Sequence, residues 1–115
     1  MHGSQTKNIF HIADSLPLPE EFSEQLYSAG GVLIERIISH GHRSPKGFWF
    51  DQEKDEWVVL LQGDAELLYA DGRGARLAKG DWLLIPAHTK HRVERTSVNP
   101  PCIWLTVHVH HEATK

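Results

Sequence analysis

The sequence predicts an all-β fold, a sandwich or a barrel, on three observations. Turn-forming residues recur at short intervals after residue 30: Gly30-Gly31, Gly63-Asp64, Asp71-Gly72, Gly80-Asp81, Pro86 and Asn99-Pro100-Pro101. The runs between these stops are mostly too short for helices and are rich in β-branched and aromatic residues. At 115 residues, 40% of them hydrophobic and 23% charged, the chain has the make-up of one domain around one core. Residues 1–115 are therefore expected to form a single barrel domain, with 1–7 and 112–115 as frayed ends.

The first element is the one helical candidate. Over 19–27, Leu18, Phe22 and Leu26 fall four apart, and Glu20 and Glu21 suit a helix start. Strands follow over 31–39, 56–62, 65–70, 75–77, 81–85, 91–96 and 102–110, with Asp71-Gly72-Arg73-Gly74 as a hairpin turn whose residues tolerate positive φ. Side chains alternate across a strand, so each strand's apolar parity predicts its inward face. Val32, Ile34 and Ile38 lead directly into His40 and His42, which places both imidazoles on the apolar side. His91 shares the side of Val93 and is expected inward. Glu56 goes with Val58 and Leu60, although Trp57, Val59 and Leu61 make the other face equally apolar, as in a strand at a subunit contact or between layers. In 102–110 the apolar face reads Ile103, Leu105, Val107 and Val109, which sends His108 and His110 toward solvent or an interface.

Composition narrows the function. The net charge is −3 and Lys and Arg do not cluster, so neither nucleic acid nor an anionic membrane is an expected partner. No apolar run is long enough to span a bilayer. One cysteine, Cys102, excludes an internal disulfide and reads as a small packed residue, and the opening Met1-His2-Gly3-Ser4-Gln5 lacks a signal peptide's apolar core, so a cytoplasmic protein is expected. The chain has no Ser-His-Asp order, phosphate-cradling glycine loop or Cys-x-x-Cys pair, which argues against a serine hydrolase, a nucleotide binder and a zinc ribbon. A small molecule is the expected ligand.

The compositional oddity is nine histidines. Three of them, His40, His42 and His91, together with Glu56, are predicted on apolar faces, where unpaired charge is costly. Shared coordination of a divalent metal is the economical explanation, because histidines at i and i+2 on a strand offer two nitrogens on one side.

These residues also resemble the cupin superfamily, the small double-stranded β-helix or jelly-roll barrels. Its first motif is a His-x-His pair, then a Glu, then six residues and a Gly; here stand His40-Gly41-His42, Glu56 and Gly63. Its second runs Gly, five residues, Pro-x-Gly, two residues, His, three residues, Asn; Gly80, Pro86 and His91 fall on that spacing. The resemblance implies a cupin-like barrel holding one divalent metal, Fe²⁺, Mn²⁺, Ni²⁺ or Zn²⁺, through His40, His42, Glu56 and His91. An enzyme of this kind would be a metal-dependent cupin such as a dioxygenase or an isomerase. The contrasting expectation is a non-catalytic, metal-free module that binds or senses a small molecule.

Departures from the pattern are as informative. The family's Glu follows its histidine pair after a handful of residues, whereas 13 residues separate His42 from Glu56, and Asp51 or Gln52 in the added stretch is an alternative ligand. His88 stands for the second motif's Gly, and Arg95 for its Asn. Within the added stretch, Phe48, Trp49 and Phe50 are expected either to wall the pocket or to pack in the barrel. Phe48, Phe50, Gln52 and Arg95 are thus candidate pocket residues, Arg95 alternatively pairing with surface acids. The surplus apolar face at Trp57-Val58-Val59-Leu60-Leu61 predicts a homodimer, unless the 43–55 insertion folds back over Trp57 and Val59.

Overall fold

A computed structural model describes residues 5–12 and 20–110. Eight strands run in chain order as β1 (Phe22–Ala29), β2 (Val32–Ser39), β3 (Lys54–Gln62), β4 (Ala65–Tyr69), β5 (Gly74–Leu77), β6 (Trp82–Ile85), β7 (His91–Thr96) and β8 (Cys102–His110). They build an antiparallel five-stranded sheet in the order β1-β2-β8-β3-β6 and a three-stranded sheet in the order β5-β4-β7. This is a jelly-roll barrel, and among the described residues none is helical. No described helix is long and apolar enough to cross a membrane.

The sheets close on one another through Val58 and Leu60 of β3, Ala65 and Leu67 of β4, Leu77, Ile85, and Cys102 and Trp104 of β8. Cys102 is fully buried, with its Sγ 3.2 Å from the Asp64 carbonyl, and so serves as packing. Gly63 makes the β3–β4 turn with φ +90°, and a Cβ there would lie 2.7 Å from Ser97 Oγ and 2.9 Å from Cys102 Sγ. The glycine common to the family's first motif is thus required here by both backbone angle and space.

The helix expected over 19–27 is instead strand β1, Pro19 lying outside the described residues. Gly30 and Gly31 both take positive φ, at 53° and 82°, which suits a two-residue hairpin turn. That turn folds β1 onto β2 with Phe22 opposite Ile38 and Ala29 opposite Val32. Phe22 and Leu26 remain 41% and 43% exposed, so their four-residue spacing builds no buried stripe and backbone pairing decides the conformation.

The inward parity of β2 and β8 is also the reverse of the expected one. Glu35 and Ile37 of β2 and Trp104, Thr106 and His108 of β8 face the barrel interior. Trp104 fixes this parity by donating its Nε1–H to Ser39 Oγ across the pair. Ile38 and Ile103 pair across β2 and β8 with the opposite parity and are nonetheless buried at 2% and 0% exposure. Both faces of these strands are covered, and apolar alternation alone therefore points the wrong way.

The insertion does not fold over Trp57 and Val59. It runs beside β7 on the other sheet: the Ser44 amide donates to the Val93 carbonyl, and Phe50 and His91 exchange backbone hydrogen bonds of 2.7 and 3.1 Å. Arg92 ties it further by donating to the Ser44 and Pro45 carbonyls.

Candidate functional site

Between the sheets lies a cavity of about 250 Å³. Its five-stranded wall carries Glu35 and Ile37 from β2, Glu56 and Val58 from β3, and Trp104, Thr106 and His108 from β8. The facing wall carries Leu67, His91 and Val93, and the insertion delivers Phe50 and Gln52. Phe50 arrives through its paired contact with His91, and its ring stacks on the imidazole at 5.4 Å with a 25° tilt.

Glu56 is the hub. His108 stands directly opposite it in the β3–β8 register, and His91 reaches it from the second sheet. His91 Nε2 lies 3.5 Å from Glu56 Oε1, while His108 Nε2 lies 4.0 Å from Glu56 Oε2 and 3.4 Å from Glu35 Oε1. Glu56, His91 and His108 are all buried. The other nitrogen of His91 is fixed: Nδ1 donates to the Thr89 carbonyl at 2.8 Å, which turns Nε2 toward Glu56. Burial pushes the His91 pKa down, but the hydrogen bonds to Glu56 and Thr89 and the charge of Glu56 prevail and raise it above its ordinary 6.5.

The residues expected to hold a metal are not brought together. Glu56 and His91 meet, but His40 and His42 lie at the far end of the barrel. The Gly41 amide donates to the Ser97 carbonyl and Thr96 Oγ1 to that of His42, so the pair sits beside the end of β7 opposite His91. Five strand steps separate His91 from Thr96, about 16 Å. His42 Nδ1 is itself occupied, accepting the His40 backbone N–H at 2.8 Å. Counting back a handful of residues from Glu56, the places of a His-x-His pair are filled by Phe50 and Gln52. Phe50 has no donor atom, and among the described residues no three of the His, Cys, Asp and Glu side chains are arranged to hold a metal ion. Asp51, the alternative ligand, pairs with the exposed His88. The donor set therefore does not fit the metal that the resemblance implies.

Of the other candidate pocket residues, Phe48 packs edge-on against Phe50 at 4.8 Å and is 43% exposed. Arg95 forms ion pairs with Asp64 and Glu66 at the surface. Sequence reasoning missed Glu35, Thr106 and His108, all on strands whose parity it inverted. Pairing 102–110 against 54–62 would have set His108 opposite Glu56 and Thr106 opposite Val58, and pairing 32–39 against 102–110 would then have added Glu35 opposite Thr106.

A jelly-roll barrel with a buried carboxylate–imidazole cluster in its interior defines the class. Residues 34–108 match the family described as Cupin domain, and the chain belongs to it. A Ralstonia eutropha JMP134 protein of known structure, provisionally named a mannose-6-phosphate isomerase, is 40% identical, with 94% of this chain and 100% of that one covered at a TM-score of 0.85. A cupin superfamily protein from Desulfitobacterium hafniense is 19% identical with 84% of each chain covered at a TM-score of 0.71, a likeness of fold. The 3-hydroxyanthranilate 3,4-dioxygenase of Burkholderia lata is 26% identical over 88 residues, 74% of this chain. The chain spans 49% of that curated relative's length.

Proposed function

We propose that this cupin binds a small molecule in its barrel and moves a proton on it with Glu56 and His91, without a metal. The observation that carries the reading is the Glu56 carboxylate held between two buried imidazoles in the cavity wall. A carboxylate so placed can accept a proton from a carbon next to a carbonyl, while a protonated His91 Nε2 donates to the oxygen on which charge develops. Where that carbon carries a hydroxyl, Glu56 returns its proton to the former carbonyl carbon while the hydroxyl gives its own proton back to His91, which exchanges carbonyl and hydroxyl and completes an isomerisation. The name of the Ralstonia relative supports the same class of chemistry. Its phosphorylated sugar is less well matched, since among the described residues no Lys or Arg lines this cavity. The dioxygenase relative favours the competing, metal-dependent reading.

Melting of EDTA-treated protein with added Fe²⁺, Mn²⁺, Ni²⁺ or Zn²⁺ decides between the two. The wild type is expected to keep its Tm, because an ion that does not bind the folded state cannot stabilise it. The Phe50→His, Gln52→His double variant, which supplies imidazoles beside Glu56 and His91, is expected to gain a metal-dependent rise. In parallel, proton NMR in D₂O with a panel of aldoses, ketoses and small carbonyl compounds should reveal exchange at the carbon beside the carbonyl. Glu56→Gln should slow that exchange by about 100-fold. A metal-dependent rise in the wild type that Glu56→Gln and His91→Asn abolish would overturn the proposal.

A further inference from the structure

We propose that the ligand carries a protonated amine, held between Thr106 Oγ1 and the Glu35 carboxylate; this rests on the reading of the cavity as a small-molecule site. Thr106 lines the cavity at 1% exposure, and its Oγ1 has no hydrogen-bond partner among the described residues. A buried hydroxyl left unsatisfied is costly, and a group that enters the cavity with an N–H removes that cost. Its neighbours select the charge of that group. Glu35 is the direct cross-strand partner of Thr106 on β2. Its carboxylate meets Ser23 Oγ at 3.3 Å and His108 Nε2 at 3.4 Å, contacts that leave acceptor capacity for an ammonium.

The rest of the lining points the same way. Among the described residues, Glu21, Glu35 and Glu56 contribute three carboxylates, against two imidazoles and no Lys or Arg. Even with both imidazoles protonated this wall remains net negative, and with little water between charges it repels a phosphate or carboxylate strongly. Beside Thr106, Val58, Ile37 and Trp104 offer an apolar bed for the ligand's body. At about 250 Å³ the space is below the ~300–1,000 Å³ of sites for drug-sized molecules, so the amine is compact.

Titration calorimetry of the full chain at neutral pH with three probes of one shape tests this: 2-phenylethylamine, 2-phenylethanol and 3-phenylpropionate. The amine is expected to bind saturably and about tenfold or more tighter than the alcohol, with no binding of the carboxylate. Thr106→Val keeps the shape of the side chain and removes the unpartnered hydroxyl. It should leave the Tm unchanged or higher while weakening amine binding about tenfold, and Glu35→Gln should weaken it at least as much. Equal binding of the three probes, preference for the carboxylate, or unchanged amine affinity in Thr106→Val each overturns the proposal. If the carboxylate binds and Thr106→Val weakens it, the amine assignment falls and the small-molecule reading stands. If no probe binds, the amine assignment falls, and the D₂O exchange experiment then decides whether the small-molecule reading falls with it.

Discussion

His91 joins structure to chemistry through its two nitrogens. One is spent on the Thr89 carbonyl, and the other is left facing Glu56. Because its folded pKa is raised above the ordinary 6.5, folding favours the protonated form. The stability it contributes is therefore fully present below about pH 6.5 and is lost as pH climbs through the raised value. Urea midpoints of wild type and His91→Asn measured from about pH 5.5 to 9 should show this as a gap that narrows with rising pH. A gap that stays flat, or widens, would mean the imidazole is not stabilised as a cation. At this same scale the sequence was partly legible. Glu56 and His91 stand out by their spacing from Gly63, Gly80 and Pro86, whereas the conspicuous His40 and His42 are drawn away because their loop is anchored to Thr96 and Ser97.

Strands and turns explain both what pattern reading captures and where it stops. The seven strands from β2 to β8 follow from turn residues and apolar runs, and their observed limits stay close to the predicted ones. β1 escapes that logic because its conformation is imposed by the Gly30-Gly31 turn and by pairing with β2, rather than by a buried stripe of its own. The faces of β2 and β8 escape it because Ile38 and Ile103 are buried on the side away from the cavity. A glycine can be more informative than a hydrophobic run, and Gly63 offers a direct measurement. Gly63→Ala forces a side chain into a left-handed backbone and against Ser97 Oγ, Cys102 Sγ and Cys102 Cα. The expected loss is about 2–4 kcal/mol by chemical denaturation, strain and overpacking together. Gly72→Ala is the control for strain alone, since it also has positive φ, at 94°, but nothing within 4 Å of the added Cβ. Equal losses in the two variants would remove the packing part of the argument.

At the scale of the whole molecule, the apolar surface exceeds what one barrel can bury. β6 is the edge strand of the five-stranded sheet, and its outward residues Trp82 and Leu84 are 60% and 57% exposed. Trp57 of β3 lies alongside, its ring 5.9 Å from that of Trp82, so the exposed apolar surface continues from one strand to the next. The insertion that was the internal candidate to cover this face is committed to β7 on the other sheet. We propose that a second copy covers it. Two antiparallel β6 edges related by a two-fold axis present the same residues to each other, and such a contact closes on itself rather than growing into a filament. A stable pair of standard size removes about 800 Å² from each partner, which calls for Trp57, Trp82 and Leu84 together rather than one aromatic. Light scattering at micromolar concentration should give twice the 13.1 kDa of the chain. Trp82→Glu, which places a carboxylate at the centre of the contact on an exposed position, should return the mass to that of one chain without lowering the Tm of the isolated barrel. A wild-type mass of one chain would leave the β6 face uncovered by its own kind and end the proposal.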